Sequence, residues 1–357
     1  MLRAVRWARA DVPGSPTPHV SVPSLNWFRR PNPTVSSPLE VVMRVLVAGA
    51  SGVLGRHMSM ALADAGHDVI GMTRSPAGTE QLGRMGIEPL VADLMDRDAL
   101  LHAVDGMQAD AAVHAATALR KVPMRHQDMA ATNALRGQGT RNLIEAAQSI
   151  GARRLIVESM HFGYGYGDFG DRTITETNTL FAPPGRTSAL ERHLQGFRVK
   201  EHLALHTDGV DGISLRFGAL YGPGFGDGGT DEIVMMLRKR RLPVVPDRRP
   251  GLLPWTHLAD AGAATVAALE RGTPGQAYHI VDDEPASMNA HVRFLAAAFG
   301  TPKPMTVPLS LVRVIGPYLH AFLTSAARLS NDKAKRELGW TPKYPTYRDG
   351  IRSLATS

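Results

Sequence analysis

The chain has 357 residues, no cysteine, and 40 Lys plus Arg against 33 Asp plus Glu, for a net charge of +7. No disulfide framework, thiolate metal site or cysteine nucleophile is available to it, and a zinc centre is not expected. The basic excess is too thin for nucleic-acid binding, which needs a focused stripe; the runs Arg238-Lys-Arg-Arg241 and Arg248-Arg249 read as a solvated helix face and a loop.

Residues 1–42 hold seven prolines, scattered Ser and Thr and no helical or alternating period, so they are expected to form a disordered N-terminal extension. No apolar run follows Arg3, Arg6 and Arg9, which argues against a secretory signal, and Met43 is expected to open the functional protein. From there apolar runs alternate with helical periods. Strands are expected at 43–48, 68–72, 88–91, 111–114, 154–158 and 213–216, with helices near 55–65, 78–85, 97–105, 128–150 and 186–207. Gly66, Gly86, Gly106 and Gly151 fall where a residue at positive φ ends a helix. This is the pattern of an α/β fold with a Rossmann-like doubly wound parallel sheet. After Gly222-Pro-Gly224 the connections lengthen, with helices at 231–241, 257–271, 287–299, 308–328 and 331–338 and a strand at 277–281. Residues 43–220 are accordingly read as a Rossmann domain and 221–357 as mainly a smaller substrate-binding subdomain that caps the carboxyl ends of the strands. The apolar stretch 307–323 is interrupted by Arg313, Gly316, Pro317 and His320, so it reads as a core or pocket helix and no membrane span is expected.

The first strand breaks into Gly49-Ala-Ser51-Gly52-Val-Leu-Gly55 and then a helix. Glycines spaced in this way permit a tight turn, close approach of the main chain to a pyrophosphate, and tight packing of helix on sheet, with the helix N-terminus facing the phosphates. Further segments follow in order: Ala92-Asp93-Leu94, Val113-His114-Ala115-Ala116, the helix 139–147, Glu158-Ser159, Phe217-Gly218 within 215–224, Trp255-Thr-His257 and Lys333 to Pro342. With these segments the chain resembles the extended and atypical short-chain dehydrogenases/reductases, in the NAD-dependent epimerase/dehydratase branch.

That resemblance implies a cofactor held by Gly49, Ser51, Gly52, Val53, Leu54 and Gly55. It implies Asp93 and Leu94 beside the adenine, Ala115 and Ala116 along the cofactor, and Phe217 and Gly218 near the nicotinamide. NAD enzymes of this kind carry an acid at the end of the second strand; here Thr73 and Arg74 stand there, and a guanidinium suits a 2′-phosphate. NADP(H) is therefore expected over NAD(H), which stays open.

The family's catalytic tyrosine stands four residues before a lysine on one helix. Lys200 fills the lysine slot and would hold the nicotinamide ribose, but the tyrosine slot is Gly196. Counting back from Tyr164-Gly165, the serine slot is Met160, and only a strand-end bulge would turn Ser159 inward. His193, on the face of Gly196, is a candidate acid, with His161, Tyr164 and Tyr166 as further ones. His202 and His206 are spaced to share a metal but have no acidic third ligand on their helix, and no Gly-x-Ser-x-Gly elbow occurs.

The expected function is an NADP(H)-dependent oxidoreductase acting on a small carbonyl/alcohol substrate. The substrate would touch 161–186, 221–255 and 308–328 in a largely apolar pocket. A cofactor-binding sensor or scaffold without turnover and a nucleotide-sugar epimerase or dehydratase are the alternatives. The family implies a cytoplasmic monomer or homodimer.

Overall fold

The computed structural model describes residues 41–177, 188–224, 229–246 and 251–356. Residues 1–40 of the expected N-terminal extension, the segments 178–186, 225–228 and 247–250 of the expected pocket, and with them Arg248-Arg249, lie outside the described residues.

The chain alternates strand and helix: β1 (Arg44–Ala48), α1 (Val53–Asp64), β2 (Asp68–Thr73), α2 (Pro76–Arg84), β3 (Glu88–Val91), α3 (Arg97–Ala103) and β4 (Ala111–His114). α4 (Ala130–Ala134) runs through a single π-helical turn, Leu135–Gly139, into α5 (Thr140–Ser149), and then come β5 (Arg154–Met160), β6 (Asp168–Ile174), α6 (Ala189–His206) and β7 (Asp211–Phe217). The second half holds β8 (Ala219–Tyr221), α7 (Thr230–Arg238), β9 (Trp255–His257), α8 (Leu258–Arg271), β10 (Gln276–Ile280) and α9 (Met288–Ala298). It closes with α10 (Leu309–Ile315), α11 (Pro317–Thr324), β11 (Ala326–Leu329), α12 (Asp332–Glu337) and α13 (Tyr347–Thr356).

Seven strands form one parallel sheet in the order β10-β7-β5-β4-β1-β2-β3. The order reverses between β1 and β4, the switch point where such sheets open a ligand crevice at their carboxyl ends. The central strands are buried on both faces, which is why they read as continuous apolar runs. Val45, Val47, Val113, Ile156 and Leu215 pack against Leu54, Met58 and Leu258 on one side. Leu46, Ala112, Leu155 and Val157 pack against Leu100, Leu143, Ile144 and Ala204 on the other. Each such buried Leu, Ile, Val or Met contributes ~1.5–3 kcal/mol.

The four glycines read as helix stops have φ of +87° (Gly66), +72° (Gly86), +73° (Gly106) and +79° (Gly151). The sheet is not confined to 43–220: β10, from the second half, is its outer strand beside β7, and α8 covers one face of it. The helix expected over 308–328 is broken at Gly316-Pro317, because a proline removes the N–H that a continuous helix needs, and its last residues form β11 instead. β11 pairs in parallel with β6, joining 326–329 to 168–174. β6 and α13 have no counterpart in the elements expected from sequence.

Candidate active site

The glycine turn leaves β1 at Gly49, which has φ +85°. Its NH-side geometry is a tight turn, with Gly52 N–H donating to the Gly49 carbonyl at 2.9 Å. A Cβ on Gly49 would come within 2.6 Å of the Ala116 Cα, and one on Gly55 within 2.1 Å of the Gly49 carbonyl oxygen. The first clearance sets Ala115 and Ala116 directly against the turn, and the second lets α1 dock on it. Gly52 caps α1 without a side chain, and no acid occupies the first turn. Backbone N–H groups at Val53 and Leu54 therefore present positive partial charge with no competing carboxylate, which fits a dinucleotide pyrophosphate.

At the end of β2, Thr73 is buried and its hydroxyl lies 3.0 Å from the Ser51 hydroxyl. Arg74 stays half exposed and pairs with Asp93 at 3.5 Å. The Asp93 carboxylate also accepts the Met95 N–H, while the Leu94 carbonyl accepts from Asn142 at 2.8 Å. Phe217 is fully buried at the end of β7, and the Gly218 N–H donates to the Thr256 hydroxyl at 2.8 Å. The Ser51, Thr73, Arg74 and Asp93 side chains are thus gathered at one corner of the crevice.

Lys200 is completely buried on α6; its Nζ donates to Glu158 at 2.8 Å and to the His114 carbonyl at 3.5 Å. Burial works against the Glu158 charge, but Lys200 and Arg136 outweigh it and hold the carboxyl below its ordinary range. Burial lowers the Lys200 ammonium, opposed by Glu158. Lys200 and Glu158 thus stand as a buried pair at salt-bridge distance.

β5 pairs with β7 in unbroken register from Arg154 to Met160. There is no bulge, so alternation puts Glu158 and Met160 on one face and Ser159 on the other, beside Arg216. Ser159 is fully buried and its hydroxyl has no partner. The bulge that would turn Ser159 to the face of Met160 is absent from this register.

His193 is buried, with Nδ1 2.9 Å from the Asn133 amide nitrogen and Nε2 3.0 Å from His126 Nδ1. Burial, then the neighbouring His126, Arg136 and Arg192, push it down to about 4, so it is neutral at pH 7. Around it stand Tyr318, 5.2 Å away edge to face, and Tyr166, whose hydroxyl lies 3.1 Å from that of Tyr318. These two tyrosines come from two of the segments expected to form the pocket. His161 is enclosed under Phe162 and pushed down to about 3 by burial, and Tyr164 is held by Arg216 and His279 in a separate buried network.

The tyrosine slot at Gly196 is closed. A Cβ there would meet the Asn133 Oδ1 at 3.1 Å and the Arg136 Cδ at 3.3 Å. Asn133 and Arg136, which stand against Gly196, and Glu158, which pairs with Lys200, were not among the residues expected from sequence. Glu158 was visible as the residue beside Ser159, whereas Arg136 is aimed by a π-helical turn that leaves no periodic signature.

The model of the NAD dependent epimerase/dehydratase family matches residues 45–281. The chain is 37% identical over 316 residues to a 3-diazoavenalumate denitrifying reductase of a Streptomyces species, covering 87% of this chain and 99% of that protein. It is 28% identical over 352 residues to a 2-alkyl-3-oxoalkanoate reductase of Stenotrophomonas maltophilia, covering 88% and 99%. Among solved structures, a UDP-glucose 4-epimerase of Thermus thermophilus in complex with NAD superimposes with a TM-score of 0.70 at 22% identity, over 88% of this chain and 98% of that one. A human epimerase family protein with NADPH does so with a TM-score of 0.69 at 18% identity, over 88% and 100%.

Proposed function

The chain belongs to the NAD dependent epimerase/dehydratase family, and on that premise we propose that it is an NADP(H)-dependent reductase whose acceptor is a small aromatic diazo compound. The observation that carries this reading is the closed tyrosine slot: Gly196 offers no phenol, and Asn133 and Arg136 fill the room. Reduction of a carbonyl ends with a proton on oxygen, which the family's tyrosine supplies. Reduction of an arenediazonium does not: hydride adds to the terminal nitrogen, the aryldiazene loses dinitrogen, and its N–H proton ends on the ring carbon. The reactants ArN2+ and NADPH become ArH, N2 and NADP+. The relative 37% identical over nearly its full length is a denitrifying reductase of a diazo compound, in keeping with this chemistry.

In this reading the nucleotide supplies hydride. Gly49 to Gly55 bind its pyrophosphate, Arg74 its 2′-phosphate, and Lys200, steadied by Glu158, its nicotinamide ribose. Phe217 and Met160 exclude water beside the ring, and Tyr166 and Tyr318 wall the acceptor pocket. A carbonyl acceptor is the second reading, favoured by the 28% identical oxoalkanoate reductase, and it would need His193 to pass a proton inward from His126.

The test is to mix the protein with NADPH and 4-hydroxybenzenediazonium and follow nicotinamide absorbance and evolved dinitrogen against a protein-free control. Protein-dependent release of dinitrogen with matching NADPH oxidation supports the reading. Oxidation only with ketones shifts it to the second reading, and cofactor binding with no turnover on either class overturns both in favour of a sensor or scaffold.

A further inference from the structure

Arg136 carries a charge that the steps above leave unused. It is only 5% exposed, and among the described residues no carboxylate lies within ion-pair distance of it. Its Nη1 donates to the Asn133 Oδ1 at 3.2 Å, its Nε has no partner, and its guanidinium carbon sits 3.6 Å above the Phe197 ring. Stacking on an aromatic face offsets only part of the cost of burying a cation. Glu158 does not fill the gap, because it is committed to Lys200 at 2.8 Å. A buried, underpaired guanidinium close enough to act on both Glu158 and Lys200 is a receptor for an anion that arrives with the ligand.

Two independent features aim it there. The π-helical turn Leu135–Gly139 inserts an extra residue between α4 and α5 and so turns Arg136 toward α6, and such turns concentrate at functional sites. Opposite, Gly196 has given up its side chain, and the Arg136 Cδ comes within 3.3 Å of where a Cβ would be. The hydrogen-bond directions agree. Asn133 Oδ1 accepts from Arg136, so its amide nitrogen donates to His193 Nδ1. Neutral His193 then carries its proton on Nε2 and donates it to His126, away from Arg136.

We propose that Arg136 stands in for the family's phenol and that its guanidinium binds an ionised oxygen of the hydride acceptor, making phenolate-bearing arenes the substrate class. This rests on the reductase reading. A guanidinium keeps its proton in a protein, so Arg136 acts by fixed charge: it selects the phenolate form and steadies the negative charge that grows on that oxygen as hydride arrives.

The probe is 4-nitrophenol, whose visible spectrum reports its ionisation, titrated into the NADP+-loaded protein across pH. The expected result is binding as the phenolate with its pKa lowered by about one unit, an approximately tenfold preference for the anion. Arg136→Gln, which keeps a donor for Asn133 but loses the charge, abolishes that preference while NADP+ affinity and melting temperature are retained. Added guanidinium ion restores phenolate binding to Arg136→Ala. Binding of the neutral phenol, no binding to the wild-type protein, or undiminished phenolate preference in Arg136→Gln overturns the proposal. If nitrophenolate binds as expected while no acceptor is reduced, the reductase reading fails and the anion site stands. If a diazonium is reduced and Arg136→Gln changes neither phenolate binding nor KM, the Arg136 assignment fails alone.

Discussion

Replacing Arg74 by alanine is expected to convert a selective cofactor site into an indifferent one. In the structure the guanidinium is about half exposed at the end of β2, 3.5 Å from an Asp93 carboxylate that is 43% exposed. Charge-assisted bonds from arginine to a phosphate contribute ~1.5–3 kcal/mol each, and an exposed ion pair of this kind only ~0–1 kcal/mol. Releasing Asp93 to engage a 2′-phosphate therefore leaves a net gain of ~0.5–3 kcal/mol, or about 2- to 160-fold in Kd. Arg74→Ala should weaken NADPH by that factor and leave NADH unchanged, as read by nucleotide fluorescence in paired titrations. Asp93→Asn, which keeps an acceptor for the Met95 N–H but removes the competing charge, should tighten NADPH. Raised salt should erode the NADPH preference, since the pair is exposed. Equal losses for both nucleotides, or no loss for either, would refute the reasoning.

Four further outcomes are expected. Glu158→Gln leaves Lys200 buried and uncompensated, so it should lower stability by ~3–5 kcal/mol in denaturant unfolding, and an unchanged midpoint would contradict the buried pair. Ser159→Ala removes an enclosed hydroxyl that has no partner and should leave kcat unchanged with stability equal or higher; a large fall in kcat would restore Ser159 to the mechanism. Gly55→Ala drives a Cβ to 2.1 Å from the Gly49 carbonyl and should abolish cofactor binding or folding, with tight NADPH binding as the contrary result. Stability should peak near neutral pH. His193 at about 4 and His161, His257, His279 and His291 at about 3, all lowered first by burial, make the unfolded chain bind more protons between those values and 6.5, so stability falls as pH drops through that window. Asp282, raised to about 9 by burial against the opposing backbone hydrogen bonds of Trp255 and Glu284, acts in the opposite sense: the folded state holds the extra proton between 3.8 and 9, and stability falls as pH rises. Asp282→Asn should flatten the alkaline limb of the melting-temperature profile, and an unaltered limb would exclude this group as its cause.

The parallel sheet was legible because its strands are buried on both faces and so appear as short apolar runs, and because glycines mark where helices stop. β6 and β11 were not. Asp168–Ile174 is a mostly exposed ribbon with no apolar alternation, and its partner lies more than 150 residues away, so only tertiary pairing reveals it. The cofactor corner was legible for a related reason: close approach of backbone to backbone demands glycine at 49 and 55, and sequence records that demand directly. Lys200 was singled out by the family resemblance, as the residue in the lysine slot of α6. Its partner was not, since Glu158 meets it through the docking of α6 on β5, which no local pattern encodes. Ser159 shows the same limit from the other side: sequence could state that a bulge would decide its direction, and only tertiary pairing shows the register from Arg154 to Met160 to hold none. Arg136 depended on a π-helical turn, where the ordinary helical period stops predicting which face a residue occupies.

The most direct measurement of the central claim is the stoichiometry of a single turnover: protein, NADPH and isotopically labelled 4-hydroxybenzenediazonium, with dinitrogen, phenol and oxidised nucleotide quantified together against a protein-free control. The account predicts one dinitrogen and one phenol for each NADPH oxidised, at a rate that rises with protein and falls when NADH replaces NADPH. Dinitrogen released without NADPH oxidation, or no faster than in the control, would contradict it.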